Sequence, residues 1–352
     1  MKEIEVEPEV SPLNGDVLCF RGEIVESAHR LSVAVVDEES HLLYKLGDPS
    51  LLTTLRSAAK PFQMIPLLMA LEENEKKLEF TSKEIAVMVG SHSGTEKHVE
   101  TVLSILEKVG LDEDALKCGR HPPFHKETKK MLGENYRQIH NNCSGKHAGL
   151  LALCVLKGYD TEGYLNPSHP IQKKIKETVS LICNYPEALI YTAIDGCGVP
   201  VFFLPIYAMA SGWARFVSEK ELTGNEMVIK KETREKVIRA MVSHPEMVAG
   251  PERLDTELMK LANKDKEKLI SKAGAEGLGT VGLLKKKMGV VVKVEDGSNR
   301  AIGPGVIHTL LKINVLSEEE VELLKKYYMP EIKNRRGEVV GRIKPNFNLI
   351  SV

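Results

Sequence analysis

Arg56-Ser57-Ala58-Ala59-Lys60-Pro61 sets a serine three residues before a lysine. On a helical backbone positions i and i+3 share a face, so a hydroxyl and an amine can meet on one turn. Such a pair is a minimal nucleophile and base, because a serine hydroxyl attacks at neutral pH only when a neighbour takes its proton. Alone, the same spacing equally describes a solvated helical turn. Pro61 removes the N–H that would bond the Ser57 carbonyl and disfavours helical geometry at Lys60, which predicts a helix entrance or an irregular turn.

Four further polar clusters are flanked by glycine. Gly90-Ser91-His92-Ser93-Gly94 suits a tight turn that exposes a hydroxyl, or a cap in which Ser93 or Thr95 starts the helix Glu96–Val109. Asn141-Asn142-Cys143-Ser144-Gly145-Lys146-His147 gathers a thiol, an amine and an imidazole before an apolar helix, as ligands or nucleophile, or as a cap with a buried cysteine. Asp195-Gly196-Cys197-Gly198 lets the backbone approach a partner closely, or is an ordinary turn after a strand. Lys272-Ala273-Gly274-Ala275-Glu276-Gly277 carries a lysine out of a strand-like segment, which becomes chemistry only beside the serines. His121, His125, His140 and His169 have no ligand-like spacing, and Cys19, Cys154 and Cys183 lie in apolar segments as core thiols.

The elements that must position these groups divide the chain in three. Asp16–Glu26, Leu31–Asp37 and His41–Lys45 have strand character, with connections too short for crossovers. From residue 82 to about 265 the spacing predicts helices, including Gly145–Leu156, Ile171–Cys183, Glu232–Val242 and Asp255–Leu261, interrupted by a buried extended segment at Ala188–Ala193. Strands return at Leu269–Ala275, Gly289–Val294 and Glu338–Ile343. The expected fold is α+β: one antiparallel sheet built from the N- and C-terminal strands, around a helical middle lobe. The expected organisation is a single catalytic unit over 1–352, with a sheet lobe at about 10–60 and 266–352 and a helical lobe at about 61–265. Gly277–Gly282 lacks the lysine of a phosphate-binding loop and starts no helix.

Composition narrows the function classes. The chain has 352 residues, 48 basic and 49 acidic, for a net charge of -1. That balance gives no global field for nucleic acid or an anionic membrane, so neither is expected as a partner. The acidic N-terminus Met1–Pro8 has no apolar core of a secretory signal, and no apolar run approaches the ~20 residues of a membrane span. A soluble, cytoplasmic protein with reduced cysteines is expected.

Taken in order, RSxxKP, SHSG, NNCSGKHAGLL, DGCGVP and KAGAEG resemble the motif series of the asparaginase II family of the Rhizobium type. The resemblance runs from about residue 16 to the last helices. It implies a fold like that of serine β-lactamases and penicillin-binding proteins, and hydrolysis of L-asparagine to L-aspartate and ammonia by two Ser-Lys tandems. Carried onto this chain, the tandems are Ser57 with Lys60, as nucleophile and base, and Ser91 with Lys272, as proton relay. The resemblance also implies a zinc ion on Cys143, Lys146 and Cys197, with His147 supporting it. Arg56 and Asp195 are implied as anchors of the substrate's carboxylate and amino group, and the assembly as a homodimer. This chain has Gly94-Thr95 where many relatives carry Gly-Glu. Competing readings are a serine acyl hydrolase of the β-lactamase or transpeptidase kind, and a non-enzymatic zinc- or thiol-responsive regulator.

Overall fold

The computed structural model describes residues 13–352 except 74–77, 225 and 265–266, so the Met1–Pro8 segment lies outside the described residues. Leu31–Asp37 is buried from Leu31 to Val36, and Met288–Val294 from Gly289 onward. Such unbroken apolar runs suit strands covered on both faces. They form the centre of a six-stranded sheet in the order Leu269–Ser271, Leu278–Leu283, Met288–Val294, Leu31–Asp37, Leu42–Leu46 and Ile350–Ser351. Each neighbouring pair is antiparallel.

The helix Ile206–Phe216 crosses one face of this sheet, and Ile302–Lys312 packs on the other. Gly289 makes the first contact possible: a Cβ there would lie 1.9 Å from the Ala210 carbonyl oxygen. Any larger residue would push the helix off the sheet, at a cost of about 1–3 kcal/mol or more.

The terminal strands build two sheets where one was expected. Glu331–Lys333, Val339–Pro345, Val17–Arg21 and Ile24–His29 form a separate four-stranded sheet. Asp16–Glu26 is a hairpin that reverses at Gly22-Glu23. The chain changes sheets at Arg30, where the Leu31 N–H donates to Asp16 Oδ2 at 2.8 Å. The half-exposed pattern of Ile24–His29 suits a sheet with one wet face, whereas the run from Leu31 needs cover on both.

The middle of the chain is mainly helical. Its main helices include Glu96–Lys108, Ser144–Lys157, Pro170–Cys183, Lys231–Ser243 and Leu254–Asn263. It also supplies two strands, Tyr191–Ile194 and Pro200–Pro205, that join Leu52–Thr54 in a three-stranded sheet. Pro200–Pro205 lies inside an apolar run that carried no strand expectation. The extended segment near Ala193 is exposed along Tyr191–Ile194, against the burial expected from its composition, because it is an edge strand with one neighbour. The Ser57–Lys60 stretch is a helix entrance, as expected, but Lys60 itself departs from the expectation. Its backbone is α-helical, at φ -56° and ψ -40°, although a proline follows it. A 3-10 turn, Arg56–Ala59, runs straight into the helix Lys60–Gln63, whose first turn can hold Pro61 because its N–H needs no intrahelical acceptor. Among the described residues no helix is long and apolar enough to cross a membrane.

Candidate active site

The 3-10 turn places Ser57 on the wall of a cavity of about 690 Å³, whose lining also includes Ser91, Asn142, Arg253, Ala275 and Tyr327. Lys60 points inward and is buried. Its Nζ lies 2.6 Å from the Gly90 carbonyl oxygen, 3.1 Å from Ser91 Oγ and 3.3 Å from the Asn142 carbonyl oxygen. Lys272, just after Leu269–Ser271, reaches the same hydroxyl: its Nζ lies 2.9 Å from Ser91 Oγ and 2.8 Å from the Ala273 carbonyl. Both expected lysines therefore converge on Ser91. Among the described residues no hydrogen bond joins Lys60 to Ser57.

Ser91 leaves the helix Ser82–Met88 on a loop held at several points. Its N–H donates to the Val248 carbonyl at 2.7 Å. His92 accepts from the Gly94 N–H at Nδ1 and contacts Ser144 Oγ through Nε2 at 2.9 Å, while Ser144 Oγ donates to the Ile139 carbonyl. Burial, followed by the charges of His98 and Lys60, holds His92 well below the usual imidazole range, so the ring is neutral with its proton on Nε2. It ties the Ser91 loop to the start of the helix Ser144–Lys157. That helix comes close because of Gly145, where a Cβ would lie 2.3 Å from the Val87 carbonyl oxygen. Ser93 points elsewhere and donates to the Ala249 carbonyl at 2.7 Å.

The buried amines are tuned by their surroundings. Desolvation, with the Lys60 and Arg253 charges adding and Asp255 opposing, pushes Lys272 down to about 7. Lys60 is lowered as well, by burial first and the Lys146 charge second among lowering effects, with Cys143 and Cys197 opposing. A free amine is thus accessible beside Ser91 near neutral pH, as general base catalysis requires.

Next to this pair lies the Cys-Lys-Cys set. Lys146 Nζ is 3.1 Å from Cys197 Sγ, and all three side chains are buried. The Asp195–Gly198 turn that carries Cys197 is closed by Gly198 N–H to the Asp195 carbonyl at 2.9 Å. Cys143 is held well below the usual thiol range, first by the hydrogen bond with Cys197, with Lys60 and Lys146 also favouring the thiolate against burial. The same bond, with burial, pushes Cys197 up, so the two sulfurs share one proton. Burial lowers Lys146, but Cys197 and Cys143 outweigh it and the net direction is up. Among the described residues no group of three or more His, Cys, Asp or Glu side chains converges as a metal site. Two sulfurs and an amine nonetheless form a donor set of the kind zinc accepts, once the lysine gives up its proton. His147 bonds Tyr164 Oη through Nδ1 at 2.6 Å, and its Nε2 is buried without a partner among the described residues.

Arg56 and Asp195 are brought together, at 2.9 Å. They line a second cavity, of about 410 Å³, shared with Glu276, Lys293 and Glu295. Arg56 sits at φ +46°, in the left-handed region, and lines this cavity, whereas Ser57 lines the other. One site residue had no signal in the sequence. Asp255 accepts from Ser271 Oγ at 2.7 Å and from the Ala273 N–H at 2.9 Å, on either side of Lys272. Only the packing of its helix against that strand brings them together.

Solved structures similar to the chain include a β-lactamase from Mycobacterium bovis. It is 13% identical with a TM-score of 0.44, over 81% of this chain and 95% of that one. Another is a β-lactamase assigned in Bacteroides dorei, 11% identical with a TM-score of 0.39, over 80% and 93%. A third, Mglu in its native form, is 15% identical with a TM-score of 0.37; the chain spans 61% of that protein and 82% of itself is covered. None of the curated proteins compared matches the chain. The profile of L-asparaginase II, a family of hydrolases, matches residues 17–345. With nearly its whole length matched, the chain belongs to the L-asparaginase II family.

Proposed function

We propose that this chain hydrolyses the side-chain amide of L-asparagine to L-aspartate and ammonia. The observation that carries the reading is one hydroxyl, Ser91, held between two buried amines at 3.1 and 2.9 Å on the wall of the cavity that Ser57 lines. A hydroxyl shared by two amines can accept a proton from one side while giving one to the other, which is what an amide leaving group needs.

Ser57 is the nucleophile in this reading. It is the more exposed of the two serines and lies at the start of a 3-10 turn whose first N–H groups lack intrahelical partners. Its oxygen attacks the amide carbon, and its proton passes by way of the Ser91 hydroxyl, 3.1 Å from Lys60 Nζ, to Lys60 in its free-amine form. The C–N bond then breaks as Ser91, re-protonated from Lys60 or Lys272, delivers a proton to the departing ammonia. Water, deprotonated through the same relay, cleaves the acyl-serine and returns Ser57. Arg56, next in sequence to Ser57, and Asp195 are the anchors that family resemblance implies for the carboxylate and amino group. They pair with each other at 2.9 Å on the neighbouring cavity, so anchoring the zwitterion at Ser57 requires each to exchange that partner for the substrate's complementary group. Cys143, Lys146 and Cys197 would hold zinc, which supplies a Lewis acid beside the site. By family resemblance the working assembly is a homodimer.

Ammonia release from L-asparagine by wild type and Ser57→Ala tests this. The variant is expected to lose about 10⁴-fold or more in kcat, and quenched wild type to carry an aspartyl adduct on Ser57. Normal turnover by Ser57→Ala would refute the assigned nucleophile. A stable penicillin adduct with no ammonia release would replace the reading with a β-lactam-type acyl hydrolase.

A further inference from the structure

Asp255 is buried in the first turn of the helix Leu254–Asn263, and both its oxygens are spent on the residues that bracket Lys272. We propose that Asp255 is a positioning residue for Lys272, fixing where the amine stands against Ser91 and supplying the negative charge that lets it carry a proton there. Side chains alternate along an extended segment, so holding Ser271 by its side chain turns Lys272 to the other face, toward Ser91. The bond from the Ala273 N–H closes the segment from the far side. Thr280 completes the grip, donating to the Lys272 carbonyl at 2.6 Å and accepting the Lys272 N–H at its own carbonyl at 3.0 Å. The segment therefore has little freedom to let the amine drift.

The charge argument is independent of this geometry. Lys272 is faced by Lys60 from the helix Lys60–Gln63, by Arg253 and Asp255 at the start of Leu254–Asn263, by Cys143 before Ser144–Lys157, and by the Ser91 hydroxyl. Arg253, and Lys60 whenever it is protonated, repel a charge there, and burial also disfavours the ammonium. Asp255 is the carboxylate that opposes them. Removing that charge must lower the midpoint at which Lys272 takes a proton.

The assignment rests on the Ser-Lys hydrolase reading for its kinetic consequence, whereas the titration of Lys272 is measured without substrate. Full-length protein carrying [¹³Cε]lysine is titrated by NMR, with the Lys272 signal assigned by its loss in Lys272→Arg. In Asp255→Asn the midpoint is expected to fall by roughly one pH unit. The acid limb of kcat/KM for asparagine should fall with it, and kcat should drop at the optimum. Ser271→Ala removes one hydrogen bond without removing the charge, so its midpoint should stay within error of wild type while kcat falls. Should Asp255→Asn fail to fold, Asp255→Ser, which also removes the charge, is expected to give the same shift. An unchanged Lys272 midpoint in the folded Asp255 variant overturns the proposal. A shifted midpoint in a protein with no asparaginase activity would instead uphold it and sink the proposed reaction.

Discussion

The side-chain nitrogen of Lys272 lies 2.9 Å from the hydroxyl oxygen of Ser91. The two residues come from different layers, one from the end of a sheet strand and the other from a loop after a helix. Their meeting makes Ser91 a junction for protons, because Lys60 reaches the same oxygen. Four expected outcomes follow from this arrangement and its surroundings, beyond the tests of Ser57 and Asp255.

Ser91 and Ser93 separate cleanly. Ser91→Ala breaks the hydroxyl bridge between the two lysines and is expected to lower kcat by about 10²–10⁴-fold. Ser93 Oγ is committed to the Ala249 carbonyl, so Ser93→Ala should cost about 1 kcal/mol of stability and leave kcat near wild type. Steady-state kinetics with thermal melts of both variants decide the matter. A Ser93→Ala protein that is stable yet inactive would reverse the assignment.

Lys272 sets a pH dependence with a definite sign. Its midpoint of about 7 in the folded state lies below the ordinary lysine value of 10.5. Between those values the unfolded chain binds more protons than the native one, so this group adds stability as pH rises. Below about 7 the penalty for the buried charge is fully present. Lys272→Met is therefore expected to be inactive but to melt higher than wild type near pH 6, with an upper bound of about 5 kcal/mol. The gain should fade toward pH 10. Melting curves across pH check this, and a constant difference between the two proteins would contradict it.

The sulfur pair predicts a metal stoichiometry. Native mass spectrometry of zinc-loaded protein should show one ion per chain, lost in Cys143→Ala and Cys197→Ala. Cys154→Ala, which removes a core thiol from the same helix as Lys146, should keep it. At a free zinc concentration about a hundred times Kd, binding adds roughly 2.7 kcal/mol to stability, and the two site variants should lose that increment. Retention of the ion by Cys143→Ala would show that the ligand set is wrong.

Arg56 and Asp195 should behave as one unit. Their side chains are only 27% and 11% exposed, so removing either strands a partly buried charge. Arg56→Ala and Asp195→Ala are each expected to raise KM for asparagine and lower the melting temperature. The double variant should be much less than additive, with a coupling of about 1–3 kcal/mol in stability. Full additivity in KM and stability would mean that the two residues act separately.

Spacing marked Ser57 with Lys60, and glycine-flanked clusters marked Ser91, Cys143, Lys146, Cys197 and Lys272, but each had a structural alternative and only the order of the motifs joined them into one candidate site. Periodicity was enough for the helices and for the two-face-buried strands at Leu31–Asp37 and Met288–Val294, since burial pattern is written into neighbouring residues. Which lysine meets which serine was not legible. Spacing paired Lys60 with Ser57, but a lysine side chain is long enough to reach past its own turn, and the packed loop after Met88 put Ser91 within that reach. The mutual pairing of Arg56 and Asp195, the role of Asp255, and the division of the terminal strands into two sheets were likewise decided by contacts between distant segments. Such contacts depend on how layers stack and how closely Gly145 and Gly289 let helices approach, and no local pattern encodes those distances.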